Sequence, residues 1–180
     1  MHGAMLHGFK QFVVAQQGRE AWNEIVDAAG TRGWYFSTQA YPDKELVTLV
    51  GATATRTGKP AGVILEEFGT AIVPTLLQLY GAFVDPDWRT LDLPMNTESV
   101  IHRAIRLNAP EAKPPRLLPQ RVSEQEVHIE YSSARRLCAL AIGICRGVAA
   151  HYEETITIEQ PDCVERGSSV CRLVVRLASS

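Results

Sequence analysis

The sequence predicts an α+β fold, with a helical N-terminal lobe packed on a C-terminal lobe of a small antiparallel sheet and a long helix. Three observations predict it. Apolar residues recur at helical spacing through the first half. The period drops to two at Val127-His128-Ile129-Glu130-Tyr131, a strand signal. Between them lies a stretch with Pro110, Pro114, Pro115 and Pro119, which breaks any helix.

The elements follow in order. Met5, Phe9, Phe12 and Val13 mark a helix over about 4–17, broken by Gly18. Trp22, Ile25 and Val26 mark a second over about 19–29, stopped by Gly30. Tyr41-Pro42-Asp43 opens a third, which ends at Gly58. Lys59-Pro60 starts a fourth, which reaches Tyr80 with a kink or break at Pro74. Residues 85–94 read as loop. Asn96 or Thr97 is then expected to cap a helix over about 98–107. Residues 108–120 read as a crossover without regular structure. After the strand at Val127, a helix is expected over about 134–153. A short strand over 155–158, a turn around Gly167 and a closing strand over 171–177 complete the chain. The chain reads as one domain over 1–180, with the helical lobe at about 1–84 and the second lobe at about 95–178.

Bulk properties exclude several classes. The 180 residues carry a formal net charge of -2, with 46% hydrophobic and 21% charged residues. Lys and Arg are spread along the chain, so there is no footprint for nucleic acid or an anionic membrane. The start lacks the basic and apolar regions of a signal peptide, and the apolar run Leu137–Cys145 is too short to span a bilayer. A cytoplasmic location is expected, where four cysteines are thiols or metal ligands more often than disulfides. No GxSxG, P-loop, HExxH or dinucleotide-binding glycine motif occurs, and the protein is not expected to be an enzyme.

Two features carry chemistry when taken together. His102 lies on the short helix, and a neutral imidazole is a common axial ligand of haem iron. Alone it is equally a surface or core histidine. In Tyr131-x-Ser133-x-Arg135, the two hydroxyls share a strand face and Arg135 falls in the first turn of the next helix. A phenol, a hydroxyl and a guanidinium around one volume suit a pair of carboxylates, such as the haem propionates. The alternative is a serine helix cap beside a solvated arginine.

Tyr131-Ser132-Ser133-Ala134-Arg135 resembles the Tyr-x-Ser-x-Arg motif of the haem nitric-oxide/oxygen binding (H-NOX) domains, relatives of the haem domain of soluble guanylate cyclase. Met1-His2-Gly3 resembles the family's start, Pro114-Pro115-Arg116-Leu117 its stretch after the proximal helix, and His102 falls where its proximal histidine stands. The resemblance covers nearly the whole chain, although 85–96 does not match closely. It implies haem b between the lobes, with His102 on the iron, Tyr131, Ser133 and Arg135 on the propionates, and Pro115 pressed against the porphyrin. It implies a distal wall of Met5, Phe9, Ile72, Leu140 and Ile144, whose helical spacing also fits a plain apolar core.

Family members that bind oxygen stably use a distal tyrosine where this chain has Leu140. A hydrogen bond to a charged group contributes roughly 1.5–3 kcal/mol, about 10- to 150-fold in affinity. The expected ligands are therefore NO and CO, with oxygen excluded. His2 shares a helix face with Met5 and is the one further imidazole able to reach the iron from the N-terminus. The resemblance also implies that NO weakens the iron–histidine bond, and that a separate histidine kinase or cyclic-dinucleotide enzyme reads the change. A haem-free zinc or thiol redox sensor is the alternative. A small haem enzyme is a third reading, disfavoured by a pocket without a distal acid or base.

Cys163-x7-Cys171 brackets the Gly167 turn, and Cys138 and Cys145 share a helix face about 100° or more from that of Leu140 and Ile144. Four converging thiolates make a zinc site; four buried free thiols are the other reading. The hairpin pattern resembles an H-NOX subgroup with structural zinc, in which a histidine before the first hairpin cysteine completes the set. Here that stretch is Gln160-Pro161-Asp162, which leaves Cys145 or His151 to substitute.

Overall fold

The computed structural model describes residues 1–178. Helix α1 spans Gly3–Ala29 and α2 spans Lys44–Thr57, each closed by a left-handed glycine, Gly30 at φ 61° and Gly58 at φ 68°. Gly18, at φ 86° and ψ 169°, breaks α1 into two helical pieces as its sequence predicts. Helix α3 spans Ala61–Tyr80 and continues through Pro74.

Three boundaries depart from expectation. The helical stretch expected over about 98–107 begins at Asp92. It comprises α4 (Asp92–Thr97), a π-helical turn (Glu98–His102) and α5 (Arg103–Asn108). The Asp92 carboxylate accepts from the Arg89 N–H at 2.9 Å, so it caps the start, and Pro94 is harmless in a first turn. Asn96 and Thr97, expected as caps, lie inside the helix and bond back to the Asp92 and Leu93 carbonyls.

The supposed crossover contains strand β1, Arg116–Ser123. It pairs antiparallel with β2, Glu126–Ser132. Pro119 is tolerated because β1 is an edge of the sheet, where one side needs no donor. Helix α6 spans Cys138–His151 and starts later than about Ala134, because Arg136 takes a left-handed φ of 53°. Arg135 therefore sits in a turn before the helix and not in its first turn. Strands β3 (Ile156–Asp162) and β4 (Cys171–Leu177) form the closing hairpin, and the sheet order is β1-β2-β4-β3, all antiparallel.

Helix α6 joins the two lobes. Its Leu140 belongs to the helical core with Leu6, Phe9 and Phe68, while its Ile142 and Cys145 pack on Val127, Ile129, Leu173 and Val175 of the sheet. Helices α3 and α6 meet backbone to backbone. A Cβ on Gly143 would lie 2.1 Å from the Glu66 carbonyl oxygen, and one on Gly69 would lie 2.5 Å from that of Leu140. The Thr70 carbonyl, whose helical donor Pro74 removes, faces Gly147 of α6. Residues 61–83 have the length and apolarity of a membrane-crossing helix. Ile64, Leu65, Phe68, Gly69, Ile72 and Val73 are buried against the rest of the protein, and 33% of the apolar window is buried in all.

Candidate functional site

Between the lobes lies an apolar cleft that encloses about 1400 Å³ including its open mouth. One wall comes from α1, α3 and α6 through Ala4, Met5, Val73, Leu76, Leu77, Leu140, Ile144 and Val148. The facing wall comes from α4, α5 and the π turn through Leu93, Thr97, Ile101, His102 and Ile105, with Pro114 and Pro115 beyond them. Arg135, Tyr131, Leu117 and Ile129 also line it. A cleft between two lobes, almost wholly apolar with a few polar groups, has the form of a cofactor site.

His102 presents its ring to the cleft from the π turn, and its side chain is only 12% exposed. π-Turns are rare and occur often at functional positions. The ring Nδ1 lies 2.9 Å from Glu98 Oε2. Glu98 also takes Arg106 Nη2 at 2.5 Å on its other oxygen, and the Leu117 N–H of β1 at 3.1 Å. Burial lowers the His102 pKa below its ordinary value, against the opposing pull of Glu98. Burial raises the pKa of Glu98, but its bonds to His102, Arg106 and Leu117 outweigh it and hold the carboxyl below its ordinary value.

Tyr131 and Arg135 line one end of the cleft; Ser133 does not. Ser133 Oγ accepts from the Arg135 N–H at 3.2 Å and so shapes the turn that aims the guanidinium. Burial raises the Tyr131 pKa, with the Ser133 hydroxyl and Arg135 pulling the other way, so the phenol is a neutral donor. Arg135 Nε pairs with Asp43 Oδ1 at 2.9 Å, and Nη2 donates to the Ala112 carbonyl at 2.9 Å and to that of Lys113. Asp43 also pairs with the Met1 amine at 2.6 Å. Two backbone carbonyls and one carboxylate thus fix the arginine fork beside the cleft.

Of the five expected distal residues, Met5, Leu140 and Ile144 line the cleft, while Phe9 and Ile72 do not. Phe9 is fully buried in an aromatic cluster, edge-on to Phe68 with ring centroids 5.1 Å apart. Ile72 turns away onto Gly8, whose missing side chain leaves room for it. Val73 faces the cleft instead, and Leu76, Leu77 and Tyr80 follow it at helical spacing. That series was the readable signal for these missed residues. His2 also lines the cleft, with its Nδ1 accepting from the Ala4 N–H at 3.3 Å and its ring 6.3 Å from that of Tyr80.

The cysteines divide three to one. Cys138, Cys163 and Cys171 place their sulfurs within 4.8 Å of one another, at 3.8 Å and 4.0 Å for the two closest pairs. Cys145 is not among them: it packs in the sheet core and lines the cleft, contrary to its expected place beside Cys138. The two lie on one side of α6 but meet different neighbours along it. His151 is exposed and stacks on Tyr152, so it is no substitute ligand. Burial raises the Cys145 thiol to about 12. Burial and the neighbouring thiols raise Cys171 to about 12, whereas at Cys163 the backbone N–H groups of Glu165 and Arg166 and the adjacent thiols outweigh burial and lower it.

A two-lobed α+β protein with a deep apolar cleft, an imidazole on one wall and an arginine–phenol pair at its end is a protein built for a flat apolar cofactor with acidic substituents. A family model described as haem-NO-binding matches residues 2–160, and the chain belongs to that family. An H-NOX protein from S. oneidensis in the Fe(II)NO ligation state is 28% identical and matches at a TM-score of 0.92 over 99% of this chain and 100% of that one. An H-NOX domain from Shewanella oneidensis in the Fe(II)CO ligation state, also 28% identical, matches at 0.89 over the whole of both chains. An unliganded Fe(II) H-NOX protein from K. algicida, at 17% identity and a TM-score of 0.89 over 100% of this chain and 98% of that one, shares the fold. No curated protein matches the chain. Haem is the cofactor of this family, and the residues of the cleft fit it: its apolar walls would take the porphyrin, His102 would offer the iron an imidazole, and Arg135 with Tyr131 would offer the propionates donors.

Proposed function

We propose that this chain is a haem-based sensor of nitric oxide that excludes oxygen and reports to a separate effector. The observation that carries it is the contrast between the cleft's two walls. His102 stands on one; on the other, Met5, Leu140 and Ile144 carry no hydrogen-bond donor, and the donor-bearing side chains are Tyr80 and His2, whose rings lie 6.3 Å apart. Haem supplies the ferrous iron that ligates the gas. His102 would hold that iron from the π turn, Arg135 and Tyr131 would hold the carboxylates, and Pro115 would bear on the ring face. The π turn and α5, which carry His102, would be the two-state element whose position relative to the sheet a bound gas biases.

The reduced protein is expected to change spectrum with NO and with CO, and to form no persistent oxygen-ligated form in air. A persistent one would overturn the exclusion. The effector is proposed to be a histidine kinase or a cyclic-dinucleotide enzyme in the cytoplasm, with this chain a binding switch without turnover of its own. His102→Ala should weaken haem retention and abolish that regulation.

A second reading is supported by the thiol cluster. Tetrahedral zinc with Zn–S bonds of about 2.3 Å sets its sulfurs roughly 3.8 Å apart, close to the 3.8 Å and 4.0 Å separations of Cys138, Cys163 and Cys171. A structural zinc on these three thiolates would staple α6 to the β3–β4 hairpin. Protein purified without chelator should then hold close to one equivalent of zinc, lost in Cys163→Ser; under about half an equivalent ends this reading. A thiol redox sensor on the same cysteines, without haem, would be excluded by a Soret band in the protein as purified.

A further inference from the structure

We infer that Glu98 is the positioning residue of the haem site, the carboxylate that orients the His102 imidazole and strengthens its bond to iron. The inference rests on the haem reading above and deepens it. The Pro115 carbonyl also acts on the His102 ring, but Glu98 is its partner at hydrogen-bond distance. Nδ1 is taken by Glu98 Oε2 at 2.9 Å, so ligation falls to Nε2. A neutral imidazole that gives Nε2 to iron carries its proton on Nδ1, which makes the Glu98 contact an N–H donated to a carboxylate. Such a bond fixes the ring's orientation and raises the basicity of the ligating nitrogen.

The carboxylate is itself fixed. Glu98 Oε2 also accepts the Leu117 N–H of strand β1 at 3.1 Å, and Oε1 accepts Arg106 Nη2 at 2.5 Å, one helical turn beyond His102. The side chain is 24% exposed, so it is substantially shielded from bulk water. Three donors from the π turn, α5 and the sheet edge therefore converge on one negative charge behind the iron ligand. A peptide carbonyl in that place would orient the ring without supplying the charge. The consequence is directional: the charge on Glu98 opposes the loss of the iron–His102 bond that NO binding promotes, and so sets how readily the switch is thrown.

Glu98→Gln separates charge from shape, because the amide oxygen still accepts from Nδ1–H or Leu117. In the ferrous haem protein, resonance Raman spectroscopy should show the iron–imidazole stretch at lower frequency in Glu98→Gln and lower still in Glu98→Ala. The NO complex should shift toward the five-coordinate form, and haem should be lost on the order of 10-fold faster. Thermal unfolding of Glu98→Gln should fall only by the few degrees that the weaker haem binding implies, and a larger loss would mark a purely structural role for the carboxylate. An iron–imidazole band present in the parent and unmoved in both variants overturns the role of Glu98 while leaving the haem reading standing. A parent protein without an iron–imidazole band overturns both.

Discussion

Leu140 is buried and lines the cleft wall facing His102, and its side chain decides what the pocket offers a bound gas. Oxygen on ferrous iron gathers negative charge and gains from a donor; nitric oxide needs none. Leu140→Tyr is therefore expected to give a persistent oxygen-ligated spectrum in air, with an affinity gain of about 10- to 150-fold if its hydroxyl reaches the ligand. Tyr80 is the phenol already present on the same side, beside His2. If the unaltered protein holds oxygen and Tyr80→Phe abolishes it, Tyr80 is the donor and the oxygen exclusion fails.

Asp43 makes a second prediction at this scale. Burial raises its pKa, but the Met1 amine and Arg135 outweigh that and hold its carboxyl below the ordinary aspartate range. A depressed folded pKa means the stabilisation is fully present above the unfolded value of about 3.9 and is lost as pH falls through the folded one. The side chain is 46% exposed, so solvent screening keeps the contribution to about 1 kcal/mol or less. Melting temperature measured from pH 6 down to 3 should fall less steeply for Asp43→Asn than for the parent, with the curves converging at the acid end.

At the scale of elements, the α3–α6 contact tolerates little added bulk. Gly143 stands where a methyl group would meet the Glu66 backbone 2.1 Å away, and backbone cannot rotate aside as a side chain can. Gly143→Ala should cost about 3 kcal/mol, the upper end of overpacking costs, measured as a lowered urea midpoint with an unchanged slope. A cost under about 0.5 kcal/mol would mean that the helices slide freely. The helix on the other side of the cleft is built in the opposite way. α4, the π turn and α5 touch the sheet through Glu98 to Leu117 and through Arg121 to Asp92 at 2.5 Å, polar contacts at the edge strand. One wall of the cleft is thus locked to α6 by close backbone packing, whereas the wall bearing His102 is held through side chains: these polar contacts, Leu91 and Met95 against the sheet core, and Leu93 and Ile101 against Val73 and Val148. That asymmetry fits a switch in which the His102 wall is the one that moves.

For the whole molecule, the cleft lies between the helical core and the sheet core, and apolar side chains from both lobes face it. Haem that binds there binds the folded chain alone. At a thousand times its dissociation constant it would add about 4 kcal/mol, and for a chain of this size its removal should lower the melting temperature on the order of 10 °C. A haem-free protein melting within a degree or two of the loaded one would mean that the cleft walls close on each other.

The sequence by itself determined the two-lobed architecture, because a helical period followed by a strand period is written in the spacing of the apolar residues. It also singled out His102, Tyr131 and Arg135 by their side-chain types and order, and the fold brings all three to one cleft. The tertiary structure decided what depends on facing and reach. Val73 meets the cleft and Ile72 does not, because helix phase is settled by the fit of Ile72 against Gly8. Arg136 takes a left-handed backbone, which local propensity did not reveal, and so Arg135 reaches the cleft from a turn. Cys145 and Cys138 share a helix face and still part company, one against the sheet and one against the β3–β4 hairpin. Glu98 shows the limit most directly. Its spacing from His102 was legible as an i, i+4 pair, but its grip on the sheet at Leu117 joins residues far apart in sequence, and only the folded chain brings them within a hydrogen bond.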